Sequence, residues 1–219
     1  MTEVTLLIPG FYNDATFLSS LEAALLTEGF SARAWAAKPS NGDAPLEVLA
    51  FQLAELIADS VAPGQAVNLV GFSMGGLICR LYVQQMGGLS RVRRLITLAT
   101  PHHGTIMAYL FKRPACYQMR PGSAFLAELN HDLTSLQQLN FSSIWTPLDL
   151  TIVPATSSLM PVGEMIQIWS PFHATLPVDP RIVRQVINEL RKPAASGDEQ
   201  TTSQPSTTAQ TLSTGATPA

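Results

Sequence analysis

The sequence predicts an α/β fold: a doubly wound, mostly parallel six-stranded sheet with helices on both faces. Three observations carry that prediction. Short apolar runs alternate along most of the chain with segments of helical spacing, the pattern of β-α-β units joined by right-handed crossovers. Several of the runs are apolar at consecutive positions, which marks strands covered on both faces. And 46% of the 219 residues are hydrophobic against 13% charged, where an average soluble domain has about a quarter charged, so much of the chain must be buried.

Six runs read as strands: Val4 to Ile8, Ser31 to Trp35, Ala66 to Val70, Val92 to Leu98, Ser142 to Thr146 and Met165 to Trp169. Asp14 can cap a helix carrying Phe17, Leu18, Leu21 and Leu25, which Gly29 closes; Pro45 opens a second with Leu46, Leu49, Leu53, Leu56 and Ile57. A third runs from about Met74 to Met86 and stops at Gly87-Gly88. Asp179-Pro180 starts the last, with Ile182, Val183, Val186, Ile187 and Leu190 as its apolar stripe. The interval from Pro101 to Asn140 carries no strand pattern. Its later part, Ser123 to Leu139, reads as one or two helices broken near Asn130, and a cap or substrate-contacting insertion belongs here.

A chain of this length supports one core, so residues 1–192 are expected to form a single domain. From residue 193 to 219 the composition turns to Ser, Thr, Ala, Pro, Gln and Gly, and such a segment cannot bury enough apolar area to offset its ordering entropy. A disordered tail is the expectation. A formal net charge of -3 offers no electrostatic footprint for nucleic acid, and Arg91, Arg93 and Arg94 read as a solvated turn. Cys79 and Cys116 do not form a disulfide framework, which suits a reducing compartment. The chain opens without the basic and apolar regions of a signal peptide, and no apolar run approaches the roughly 18 to 20 residues that span a bilayer. The expected location is cytoplasmic.

Chemistry enters at Gly71-Phe72-Ser73-Met74-Gly75. This G-x-S-x-G pattern follows a predicted strand and opens a predicted helix, the context in which such a serine is a nucleophile on a sharp turn. A serine hydroxyl needs a general base, and the base needs an acid to fix its tautomer. In that strand-turn-helix arrangement the order is Ser, then Asp or Glu, then His. From Leu133 to Gly163 the only acidic residue is Asp149, just past the fifth strand, and beyond His131 the only histidine is His173, after the sixth. Both fall at carboxyl ends of strands, where sites on open α/β sheets form. The oxyanion donors expected are the backbone N–H of Met74, after the nucleophile, and that of Phe11, in the loop after the first strand.

Pro9-Gly10-Phe11, the segment Gly71 to Gly76, Ala99-Thr100-Pro101-His102-His103-Gly104-Thr105 and Met119 to Ser123 together resemble the lipase and esterase branch of the α/β-hydrolase superfamily, in particular bacterial triacylglycerol-lipase-like proteins. The resemblance covers about residues 4 to 192 and implies a minimal α/β-hydrolase fold that hydrolyses acyl esters through an acyl-enzyme, without a cofactor. The chain departs from many relatives in having Pro9-Gly10 where they have His-Gly, and in lacking a long cap.

The expected activity is therefore cleavage of carboxylic esters, with a small acyl ester or lipid as substrate and Ser73, Asp149 and His173 as the triad. Acyl transfer or thioester hydrolysis would use the same residues, and a catalytically silent binding module on the same fold is the reading from another class. His102 and His103 are adjacent and point apart, with no Cys or carboxylate at ligand spacing, so no metal is expected. Their loop is expected to shape the pocket beside Ser73. Met107, Tyr109, Leu110, Phe111 and Met119 fit an acyl groove and ordinary core packing equally well.

Overall fold

In a computed structural model, residues 3–193 of the chain are described. Six strands, β1 (Val4–Ile8), β2 (Ser31–Ala34), β3 (Val67–Phe72), β4 (Val92–Leu98), β5 (Asn140–Trp145) and β6 (Glu164–Gln167), form one sheet in the order β2-β1-β3-β4-β5-β6. Every pairing is parallel. The helices are α1 (Ser19–Thr27), α2 (Leu46–Ser60), α3 (Met74–Gln85), α4 (Pro114–Gln118), α5 (Ala124–His131), α6 (Thr134–Gln137) and α7 (Pro180–Arg191). The predicted doubly wound sheet is thus present, and all of its strands run parallel.

Alternation along the strands divides the core into two layers. Leu6, Ile8 and Leu69 face one side, where they meet Leu49, Leu53 and Ile57 of α2 and Leu77, Ile78 and Leu81 of α3. Leu7, Val70, Phe72, Ile96 and Leu98 face the other, against Leu21 and Leu25 of α1 and Ile182, Val186 and Leu190 of α7. Burial of this kind contributes about 1.5 to 3 kcal/mol for each large aliphatic side chain removed from water. Helix α3 is enclosed along nearly its whole length, every residue from Met74 to Val83 being buried.

The topology positions the site. After β1 the chain passes to α1 on one face, whereas after the adjacent β3 it enters α3 on the other. Their carboxyl-terminal loops therefore part around a crevice, the topological switch point at which open α/β sheets bind ligands. The interval 101–140 contains α5 and α6, broken as expected just past Asn130, and two further short elements, a 3-10 turn over Ile106–Leu110 and α4. The expected tail lies, apart from Pro193, outside the described residues. The arginine cluster is not a solvated turn: Arg94 is buried and donates to the carbonyls of Lys192 and Pro193, Arg91 donates to Val61 O, and Arg93 pairs with Glu3.

Candidate active site

Ser73 stands between β3 and α3 at φ 53° and ψ −122°, a left-handed backbone that costs a non-glycine residue on the order of 1 to 3 kcal/mol. The turn is pinned on both sides: Ser73 N–H donates to Leu98 O at 2.8 Å, and Ser73 O accepts from Gly76 N–H at 3.0 Å. Only glycines let the backbones come this close. A Cβ on Gly71 would lie 2.5 Å from Gly76 Cα, one on Gly75 would run into the Ile8 carbonyl, and one on Gly76 into the Thr100 side chain. Opposite the serine, a Cβ on Gly10 would lie 2.8 Å from Ser73 Cβ and 3.3 Å from Ser73 Oγ. The loop carrying Phe11 thus presses directly on Ser73, and Met74 begins α3, whose amino-terminal end carries partial positive charge.

Asp149 lies just beyond β5 and is 5% exposed. Its Oδ1 accepts from the N–H groups of Thr151 and Ile152, both at 2.8 Å, and its Oδ2 lies 2.7 Å from His173 Nδ1. A carboxylate oxygen accepts, so this bond is made by the His173 Nδ1–H and leaves Nε2 as the ring nitrogen not engaged by Asp149. The two loops are further tied by Thr146, whose hydroxyl donates to Ser170 O at 2.8 Å and accepts from Ser170 N–H at 3.2 Å. His173 opens a 3-10 turn after Phe172, itself held at φ 65°, and its ring lies 4.7 Å from that of Phe72, centroid to centroid. Phe72 is the residue before Ser73. The structure therefore brings Asp149 and His173 into direct hydrogen bonding and sets His173 against the neighbour of Ser73.

A small cavity of about 70 Å³ opens beside the serine, lined by Ser73, Phe11, Pro101, Thr105, Phe111, Cys116, Met119 and Ile152 with their neighbours. The Thr-Pro-His loop does shape this pocket, through Pro101 and Thr105. Of the five residues that fitted a groove or a core equally well, Met107, Phe111 and Met119 line the cavity, whereas Tyr109 and Leu110 are exposed.

His102 faces the other way, fully buried. Its Nδ1 lies 3.1 Å from Arg80 Nη1 and its Nε2 3.1 Å from Thr97 Oγ1. Arginine only donates, so Nδ1 accepts and Nε2–H points at Thr97. Burial first, then the Arg80 guanidinium, holds the imidazole well below its usual range, so the ring is neutral. Arg80 is buried as well, which pulls its guanidinium down to about 9, and it donates to Gln84 Oε1, Leu129 O and Asn130 Oδ1. With both ring nitrogens engaged, His102 has no lone pair to offer a metal.

Sequence reasoning passed over Arg80 and Thr146 and saw no separate role for Thr105. Arg80 sits in a helix at a position that an arginine on a solvated face would equally occupy, so no local signal marks it as buried.

A model of the palmitoyl protein thioesterase family matches residues 42–122, a segment that contains Ser73. No curated protein matches the chain in sequence. Among solved structures, the mature lipase BlEst2 of Bacillus licheniformis is 16% identical with a TM-score of 0.69, over 86% of this chain and 91% of that one. Aspergillus fumigatus lipase B is 16% identical with a TM-score of 0.72, over 88% of this chain and 53% of its own length. A bromoperoxidase of Bacillus anthracis is 14% identical with a TM-score of 0.64, over 88% and 93%. With the parallel sheet and the glycine-framed serine turn, these likenesses show that this chain has the α/β-hydrolase fold.

Proposed function

We propose that the protein is a serine hydrolase that cleaves carboxylic esters through an acyl-enzyme, with Ser73 as nucleophile, His173 as general base and acid, and Asp149 as the acid that orients it. One observation carries this reading: a serine in a strained turn at the mouth of a cavity, with the residue before it against a histidine that a buried carboxylate holds by Nδ1 at 2.7 Å. In this scheme His173 Nε2 takes the Ser73 proton as Oγ attacks the acyl carbon, and returns it to the departing alkoxide; water then repeats the sequence on the acyl-enzyme. The developing oxyanion is held by the backbone N–H groups of Phe11 and Met74. Two details support that assignment. Nearby amides already have partners, the adjacent Tyr12 N–H on Ser40 O and Ser73 N–H on Leu98 O and, two residues along, Asn13 N–H on Gly10 O and Gly76 N–H on Ser73 O, and the amino-terminal end of α3 adds its dipole.

The cavity supports a short acyl group. About 70 Å³ is far below the roughly 300 to 1,000 Å³ usual for small-molecule sites, so a chain of a few carbons fits it better than a long one. Thioester cleavage is a second reading, favoured by the thioesterase family match around Ser73. A fluorophosphonate probe tests the shared mechanism: labelling should disappear in Ser73→Ala, and well-folded protein that stays unlabelled would refute it. A rate series over aryl esters from acetate to laurate, with butyryl thioester included, tests the substrate. The maximum is expected near butyrate to hexanoate, and a maximum at long chains would refute the short-acyl reading.

A further inference from the structure

We propose that Thr105 is a positioning residue for Asp149, its hydroxyl stapling the loop that holds the carboxylate to the wall of the acyl cavity. The inference rests on the triad reading above. The loop after β5 contains a short run, Thr151-Ile152-Val153, gripped from two sides. On one side the Thr151 and Ile152 amides donate to Asp149 Oδ1 at 2.8 Å each. On the other, Thr105 Oγ1 donates to Thr151 O at 2.7 Å and accepts from Val153 N–H at 3.0 Å, while Ile106 N–H donates to Val153 O at 3.0 Å.

The hydroxyl is fully used. It has one proton to donate and two lone pairs, and the second lone pair accepts from Met107 N–H at 3.3 Å, which caps the 3-10 turn Ile106–Leu110. Thr105 is itself held, its N–H donating to Met119 O at 2.9 Å, and it is 5% exposed. Thr105, Met107, Thr151 and Ile152 all line the cavity beside Ser73. One hydroxyl therefore fixes, at once, the start of the cavity wall, the 151–152 peptide whose N–H holds Asp149, and the peptide that follows it. Without it the carboxylate keeps its own two amide donors, but those amides lose their anchor, and His173 loses a defined position.

Thr105→Val removes the hydroxyl at nearly constant shape, and Thr105→Ser keeps it. With p-nitrophenyl butyrate, Thr105→Val is expected to lower kcat about tenfold to a hundredfold, the loss that a displacement of about 1 Å in a catalytic constellation produces, with KM within twofold. Thr105→Ser is expected within threefold of the native rate. Because Thr105 acts through Asp149, adding Thr105→Val to Asp149→Asn should cost less than a further twofold, since groups acting as a unit are not additive. An equal loss in both backgrounds would overturn the proposal, as would a rise in KM at constant kcat, or Val and Ser variants that fall together. Should Thr105→Val fail to fold, Thr105→Ala, which leaves room for a water, takes its place in the same cycle. Ser73→Ala in the same assay separates the two readings: if it keeps activity, the triad falls and this inference with it, whereas if it and Asp149→Asn are severely impaired while Thr105→Val keeps the native kcat, only this inference falls.

Discussion

Gly10→Ala tests the arrangement around the serine more sharply than removal of the serine itself. Gly10 does not use a left-handed backbone, so alanine meets no conformational penalty there, and whatever happens is steric. The added Cβ would lie 2.8 Å from Ser73 Cβ and 3.2 Å from Phe72 O. Neither is the far end of a flexible chain, so the loop from Pro9 to Tyr12 must withdraw from Ser73 by several tenths of an ångström or more. That loop carries the Phe11 amide. Loss of one oxyanion donor costs about 3 to 4 kcal/mol in the transition state, or about 10²- to 10³-fold in kcat. Overpacking itself costs about 1 to 3 kcal/mol of stability, which in a domain of this size lowers Tm by roughly 2 to 12 °C. The assay is kcat for p-nitrophenyl butyrate alongside a thermal melt, with Gly64→Ala as control. A Cβ on Gly64 meets nothing within 4 Å, so that variant is expected to lose a little stability to its positive φ and no activity. A Gly10→Ala enzyme whose Tm falls while kcat stays within threefold of native would refute the reasoning, because the displaced loop would then not face the reacting carbonyl.

Three further outcomes are expected. Arg80→Lys keeps a cation but cannot reach Gln84, His102, Leu129 O and Asn130 together; urea unfolding should show a loss of about 2 to 3 kcal/mol, with kcat per folded molecule changed less than threefold. Cys116 lines the cavity, 1% exposed, and burial raises its thiol pKa; the native protein should therefore react with iodoacetamide far more slowly than the unfolded one, and Cys116→Phe should lower kcat/KM for butyrate at least tenfold more than for acetate. Asp179 caps α7 by accepting from Arg181 N–H at 2.9 Å, and its hydrogen bonds to Arg181 hold its carboxyl well below the usual carboxylate range. A depressed folded-state pKa gives stability that is present above the ordinary carboxylate pKa near 4 and is lost as the pH falls through the folded value. Asp179→Ala should cost about 1 kcal/mol at pH 7, and a melt series from pH 7 to pH 2 should show the two proteins converging as the acid limb is descended.

Strand and helix alternation was legible because the parallel sheet buries both faces and so writes continuous apolar runs, and because caps mark helical turns by their own chemistry, Asp179 at the start of α7 and Asp14 at a 3-10 turn, Ala15–Leu18, that leads into α1 at Ser19 in place of the single helix expected there. The boundaries slipped where chemistry and pattern part. β3 runs two residues past its predicted end, since Gly71 and Phe72 read as the start of a turn yet pair with Thr97 and Leu98. β5 begins at Asn140 and carries Ser142 and Ser143, whose hydroxyls find buried partners in Glu189 and Ser158 O, a satisfaction that no local signal announces. At the edges, Trp35 and Ile168 were predicted as strand and lie just outside it, although each still donates its N–H to the neighbouring chain, to Leu7 O and Trp145 O. The 3-10 turn Ile106–Leu110 and helix α4 are too short to display a period. In hindsight the Thr105 cap and Pro114 at the first helical position were their only marks. Ser73, Asp149 and His173 stood out because order along the chain and strand ends are sequence properties; Thr105 and Arg80 act through tertiary contacts with residues about 46 and 50 positions away, and nothing local encodes that.

The backbone strain is concentrated in a way that bears on this division. Among the described residues four non-glycines have positive φ: Tyr12, Ser73, Ala99 and Phe172. Each lies in a loop at the carboxyl end of a strand, after β1, β3, β4 and β6 respectively, and none lies at the opposite edge of the sheet. Such conformations persist only where the surroundings over-determine them, and here each is pinned by hydrogen bonds: Tyr12 N–H to Ser40 O at 2.8 Å, Ser73 N–H to Leu98 O at 2.8 Å, Ala99 N–H to Ile144 O at 2.9 Å, and Phe172 O from Thr175 N–H at 3.2 Å. Two of these bonds, from Ser73 and Ala99, continue the parallel ladder one step beyond its last strand residues. The sheet itself thus holds the serine turn and the loop behind it, while the loops bearing Asp149 and His173 extend past the ladder and are held in addition by side chains, Thr146 between them and Thr105 against the cavity wall. Substitutions of those two hydroxyls should therefore displace Asp149 and His173, the proposed acid and base, before they disturb the Ser73 turn, and the rate of fluorophosphonate labelling should fall in such variants while that turn remains intact.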